Sequence, residues 1–244
     1  MVRFDAYSAS NSIGAGHAEN QDSYLADMST MLFAVADGVG GYEGGREASE
    51  LTIAALRNRG GMIQNESLVR SSLEEIHEQL IQTAKARHLP NMGTTIALAK
   101  VLPNIQTGIG GRVITANVGD SPILLFSNNE TDLESESYSK VFTDDSFRDK
   151  TPGSMWALVQ YLGIESQEVH VHVKSFDFQS GDVILICSDG VSDNLLGENT
   201  YSRGRGAGDV DELVRCYGSA QKIVEEAMRA GIKRDDMTVV LVFL

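Results

Sequence analysis

Two apolar runs in this chain end in the same pair of residues: LFAVA runs into Asp37-Gly38, and VILICS runs into Asp189-Gly190. A single Asp-Gly after a strand is a favoured turn. Here, however, further carboxylates occupy matching positions. Asp120 follows VITANVG, and Asp235 with Asp236 precedes MTVVLVFL. Several like charges brought to one sheet edge would repel one another unless cations lay between them. Ligands made only of oxygen select a hard cation, Mg²⁺ or Mn²⁺, whereas Zn²⁺ would recruit His or Cys. Gly38 and Gly190 let the backbone come close to a ligand, and Gly38 could offer its carbonyl to an ion beside Asp37.

The elements that must position these residues can be read from periodicity. Strands are expected at 3–8, 32–36, 94–102, 112–118, 123–126, 169–173, 183–187 and 237–244. Helical spacing marks 45–59 and 67–87, the latter through Val69, Leu73, Ile76 and Leu80, and again 220–228 through Ile223, Val224 and Ala227. Residues 130–150 read as a polar surface loop and 154–162 as a short helix. Helices arrive in groups and strands cluster, rather than alternating strictly, which predicts α+β architecture with helices on antiparallel sheets. No linker, repeat or low-complexity run divides the chain, so 1–244 is expected to be one domain.

Composition narrows the function classes. A formal charge of −14 makes a field that repels nucleic-acid backbones and anionic lipid. No stretch approaches the ~18 apolar residues of a membrane span, and no signal-peptide core opens the chain. Two cysteines without CxxC spacing suit a reducing compartment, with Cys187 a small buried hydrophobe. A cytoplasmic protein with neither nucleic-acid nor membrane partners is the expectation.

Six blocks in order then carry a family resemblance: ENQDS at 19–23, VADGVGG at 35–41, GTTIALA at 93–99, ANVGDS at 116–121, SDGVSD at 188–193 and RDDMTVV at 234–240. Together they resemble the metal-dependent protein phosphatase 2C (PPM) family, in the form of a stand-alone bacterial-type catalytic domain. The resemblance implies a four-layer α/β/β/α sandwich of two antiparallel sheets flanked by helix pairs. It implies hydrolysis of phosphoserine and phosphothreonine in proteins by a hydroxide bridging two Mn²⁺ or Mg²⁺ ions. By the same resemblance Asp37 would bridge the two ions, Gly38 would give its carbonyl to one, and Asp189 and Asp235 would bind the other. Asp22 would support the first through water. Asp120 and Asp193, with Asp189, match the positions of a third, weaker ion. The partner implied is a phosphorylated protein opposed to a serine/threonine kinase, acted on by a monomer.

The chain also departs from that family's pattern. His17 stands where members carry an arginine that grips the substrate phosphate, so the substrate contact and part of the catalysis fall to a weaker donor. Val39 replaces a histidine of eukaryotic members, Pro122 a common arginine, and Asp236 the usual asparagine. The departures bear on substrate choice rather than metal binding, and His17 motivates an alternative, a catalytically weak or silent relative that binds phosphoproteins as a regulator. A two-metal nuclease would need a basic groove, which a charge of −14 makes hard to build. Other features have plainer readings. His170 and His172 are expected on a solvated face with the intervening valines inward, TGIGG at 107–111 as a hairpin turn, RGRGAG at 203–208 as a loop, and Trp156 in the core.

Overall fold

The structure, a computed structural model, describes residues 2–10, 19–39, 43–89, 91–104, 106–107, 109–127, 139–140, 146–148, 156–165, 168–195, 214, 218–231 and 233–244. In chain order its elements begin with β1 (Arg3–Ser10), β2 (Ser23–Asp27), β3 (Leu32–Ala36), β4 (Gly38–Val39), α1 (Glu43–Arg59) and α2 (Glu66–Arg87). The middle holds β5 (Gly93–Thr94), β6 (Ile96–Pro103), β7 (Gly111–Val118), β8 (Ile123–Phe126), β9 (Ser139–Lys140), β10 (Ser146–Arg148) and β11 (Trp156–Leu158). The chain closes with β12 (His172–Phe178), β13 (Val183–Cys187), α3 (Asp189–Leu195), α4 (Ala220–Ala230) and β14 (Asp236–Phe243).

Two five-stranded antiparallel sheets dominate, one ordered β1-β14-β13-β8-β9 and the other β12-β7-β6-β3-β2. Their central strands read as unbroken apolar runs because both faces are covered. In β3, Leu32, Ala34 and Ala36 face one cluster, which also takes Val69, Leu73, Ile76 and Leu80 of α2, while Phe33 and Val35 face the other sheet. The opposite sheet alternates likewise. Ile184 and Ile186 of β13 meet Val240 and Val242 between the sheets, whereas Leu185 and Cys187 lie against Val191 of α3 and Ile223, Val224 and Ala227 of α4. Apolar clusters thus lie between the two sheets and between each sheet and its helices, the α+β architecture with helices on antiparallel sheets expected from the sequence. Burying a large aliphatic side chain contributes about 1.5–3 kcal/mol, so the alternation fixes register strongly, since a one-residue slip would exchange the two cores.

Local signals set the ends. Asn65 Oδ1 accepts from the Leu68 N–H at 2.9 Å to start α2, and His88 ends it in the left-handed region at φ 58°. The β6–β7 hairpin closes through Asn104 N–H to Gly110 O at 3.0 Å, confirming the turn read in TGIGG. Among the described residues, no helix is long and apolar enough to cross a membrane.

Several elements differ from expectation. The helix expected at 154–162 is instead β11 over Trp156–Leu158, paired with β10, and Leu162 bridges Thr94. Periodicity could not separate these, because a short apolar run suits either state until a partner strand appears. The loop expected over 130–150 contains β9 and β10, held by pairing with β8 and β11. The strand expected at 169–173 shifts to 172–178, since its ladder to β7 begins at His172 opposite Asn117. His170 is exposed and Val171 buried, as the alternation implied. Strand β2 was not foreseen, because SYLAD carries only one fully buried residue. RGRGAG lies outside the described residues, as does the side chain of Trp156.

Candidate active site

The registers bring the acidic strand ends to one edge. Ser23 pairs with Ala36, which places Asp22 beside Asp37, and Ile96 pairs with Val118, which puts Asp120 at the same end of that sheet. In the facing sheet Cys187 pairs with Val239, so Asp189 and Asp235 emerge together. Asp193 lies one turn along α3 from Asp189 and on the same side of the helix.

Hydrogen bonds then fix the backbone around each carboxylate. The Asp37 carbonyl accepts from the Thr95 N–H at 2.8 Å and the Thr94 hydroxyl at 2.7 Å, and the Asp37 N–H donates to Thr95 Oγ1 at 3.1 Å. This explains why the expected strand 94–102 breaks at Thr95, which leaves the ladder to serve Asp37. Thr95 Oγ1 also shares a hydrogen bond with Ser121 Oγ at 2.8 Å, next to Asp120. Across the sheets, the Ser188 hydroxyl donates to Asp22 Oδ2 at 2.8 Å and the Gln21 N–H donates to Asp236 Oδ2 at 2.7 Å.

The two glycines are also required by the chain's packing against itself. A Cβ on Gly38 would lie 2.5 Å from the Gly45 backbone and 2.8 Å from the Gln21 carbonyl, and one on Gly190 would lie 2.1 Å from the Asp236 carbonyl. Both positions let the chain pack against itself, which holds Asp37 and Asp189 at their places.

Crowding of like charges shows in the electrostatics. Asp37 keeps some contact with solvent, yet burial pushes its carboxyl well above the ordinary range, and the charges of Asp22, Asp189, Asp235 and Asp120 push it further. Burial likewise raises Asp22 from 3.8 to about 7. Hydrogen bonds from Thr238 and Ser188 oppose the rise, while Asp236 and Asp189 add to it. Asp22 Oδ1 and Asp189 Oδ1 are buried without a hydrogen-bond partner. Unpartnered buried carboxylate oxygens in a cluster of acids suit a hard divalent cation.

A basic side chain, that of Lys233, enters this cluster. Lys233 Nζ contacts Asp189 Oδ2, and lies 3.1 Å from Asp235 Oδ2 and 3.3 Å from Asp193 Oδ2. Burial alone would lower its pKa, but Asp189, Asp235 and Asp193 together raise it above the ordinary lysine range. Among the described residues, no three His, Cys, Asp or Glu side chains stand as a ready cage for an ion.

Seven of the residues singled out in the sequence, Asp22, Asp37, Gly38, Asp120, Asp189, Asp193 and Asp235, therefore meet at one edge. His17 lies outside the described residues. Sequence reasoning missed Lys233, Ser188, Thr95 and Asn194. Ser188 and Thr95 sit inside recognised blocks, but nothing in their spacing foretold that they would tie one carboxylate to the other sheet and another to a neighbouring strand.

The fold is that of the bacterial protein phosphatase 2C enzymes. The catalytic domain of the serine/threonine protein phosphatase PstP, solved in complex with two manganese ions, matches with a TM-score of 0.75 at 24% identity over 99% of this chain and 97% of that one. Residues 13–230 match the model of the protein phosphatase 2C family, and the chain belongs to that family. The serine/threonine phosphatase stp of Listeria welshimeri is 28% identical over 77% of this chain and 74% of its own length. PstP of Mycobacterium tuberculosis is 28% identical over 96% of this chain but only 44% of its own length.

Proposed function

We propose that this chain is a phosphoprotein phosphatase that hydrolyses phosphoserine and phosphothreonine with two divalent cations, Mn²⁺ or Mg²⁺. Asp37 would be shared between the ions, with the Gly38 carbonyl and, through water, Asp22 on one side and Asp189 and Asp235 on the other. Asp120, Asp189 and Asp193 would hold a third, weaker ion. When bound, the cations supply an activated water and the positive charge that phosphoryl transfer requires.

The single observation that carries this reading is the convergence of five carboxylates from two sheets, felt at Asp37, with buried oxygens of Asp22 and Asp189 left without protein donors. The protein's own part is positioning. Thr94 and Thr95 clamp the Asp37 backbone, and Ser188 orients Asp22. The same cluster gives substrate binding a sharp condition. A phosphate monoester brought to five carboxylates is repelled, so cations must be in place before the substrate can dock. The names of the relatives, serine/threonine phosphatases, support a phosphorylated protein as substrate, and a serine/threonine kinase would oppose it.

The test is hydrolysis of an aryl phosphate and a phosphoserine peptide with Mn²⁺, with Mg²⁺ and with chelator, for the parent chain and Asp37→Asn. The expected outcome is turnover only with metal, and its loss in Asp37→Asn by several kcal/mol of transition-state stabilisation, where ~1.4 kcal/mol is tenfold. Turnover in chelator, or an active Asp37→Asn, would overturn it. Mn²⁺ binding without turnover would favour the silent phosphoprotein-binding alternative that His17 motivates.

A further inference from the structure

We propose that Lys233 is a built-in cation that contests the Asp189, Asp193 and Asp235 end of the site with the divalent ion, so that metal occupies that end only when the lysine side chain swings out. This rests on the reading of the carboxylates as metal ligands given above.

The lysine is placed by the fold rather than drifting into the cluster. Asn194 clasps its backbone from both sides: the Asn194 amide donates to the Lys233 carbonyl at 2.9 Å, and the Lys233 N–H donates to Asn194 Oδ1 at 2.9 Å. The same amide donates to the Gly190 carbonyl at 2.6 Å, so the clasp is anchored on the helix that carries Asp189 and Asp193. A four-carbon stem leaving this fixed backbone reaches three carboxylates at once, within 3.3 Å or less. The side chain nevertheless keeps 33% of its surface exposed, so a route to solvent is open without moving the backbone.

Charge decides the contest. One ammonium neutralises one of three carboxylates, whereas a divalent ion neutralises two and accepts direct oxygen ligation, so the ion wins when abundant but must first displace the lysine. Among the described residues, the ion pairs of Lys233 run to Asp189, Asp193 and Asp235 and not to Asp22 or Asp37, so the Asp22 and Asp37 end of the site is free of the competition. The two ends should therefore fill at different metal concentrations, with Lys233 setting the gap. Asn194 acts through Lys233 and is a positioning residue.

Two measurements on the full chain test this. In calorimetric titrations with Mn²⁺, Lys233→Met and Lys233→Gln should tighten the weaker binding event by about tenfold, the effect of removing one nearby charge, and leave the tighter event little changed. On the parent protein, acetylation of Lys233 followed by mass spectrometry should be slow in chelator and accelerate on adding Mg²⁺, as the ammonium leaves its carboxylates. This second readout stands even if the variants, with bare carboxylates, fail to fold in chelator. Equal Mn²⁺ affinities in parent and variants, or an acetylation rate indifferent to Mg²⁺ at concentrations that bind, would overturn the proposal while leaving the phosphatase reading intact. Failure of Mn²⁺ to bind parent or variants would overturn both.

Discussion

The Ser188 hydroxyl reaches Asp22 Oδ2 at 2.8 Å across 166 residues of sequence, and so joins the two sheets at the acidic edge. The Ser188 Oγ in turn accepts from the Thr238 N–H at 3.0 Å, so one small side chain satisfies a carboxylate and a strand end together.

Ser188→Ala leaves both of those buried groups short of a partner. It should cost about 2–3 kcal/mol, a fall in Tm of about 4–10 °C, and the loss should be larger in chelator than with Mn²⁺. Thermal unfolding with and without metal checks this; an unchanged Tm in chelator would show that the bond contributes nothing.

The raised carboxyl of Asp22 makes stability depend on pH in protein stripped of metal. Between 3.8 and about 7 the folded chain keeps a proton on Asp22 that the unfolded chain has released. Unfolding releases that proton, so stability falls as pH rises through this window, by on the order of 4 kcal/mol, and levels off above it. Asp22→Asn should flatten the slope, and the stabilisation gained from Mn²⁺ should grow with pH, because ions bind the deprotonated carboxylate. Urea midpoints in chelator that rise with pH by the same amount in parent and Asp22→Asn would contradict this.

Gly190→Ala tests whether the site tolerates any widening. Its Cβ would meet the Asp236 carbonyl at 2.1 Å, whereas one on Gly61 meets nothing within 4 Å. Gly190→Ala should destabilise by about 3 kcal/mol or more and disturb Asp189 beside it, while Gly61→Ala should be close to neutral. Chemical denaturation of the pair gives the comparison, and equal effects would defeat it.

The family resemblance implies, through the spacing to Gln21 and Asp22, that His17 stands in place of a phosphate-gripping arginine, and on the proposed function this can be tested. His17→Arg should lower KM for an aryl phosphate, with an advantage that widens to roughly tenfold as pH rises from about 6 to 8, since histidine loses its charge near ~6.5 and arginine does not. Steady-state kinetics on both proteins across that range measures it. An unchanged KM with reduced kcat would instead make His17 a proton donor.

The acidic residues that gather at one sheet edge, and roughly where they sit, were legible in the sequence alone. Asp37, Asp120, Asp189 and Asp235 could be read as strand ends, because a buried strand is an apolar run and its end is where the run stops. Helix α2 was legible from Val69, Leu73, Ile76 and Leu80, whose spacing is the helix period itself. Short elements were not. Trp156–Leu158 became a strand and Thr95 left its strand because their partners, β10 and Asp37, are remote in sequence, and a pairing energy has no local trace. Tertiary structure alone decided three further things: that Ser188 ties Asp22 to the opposite sheet, that Gly38 and Gly190 are needed by the chain's contact with itself, and that Lys233 points among Asp189, Asp193 and Asp235. Each is a contact between segments brought together by register and layer packing, and charge in the sequence says how many acids there are but not which base will lie between them.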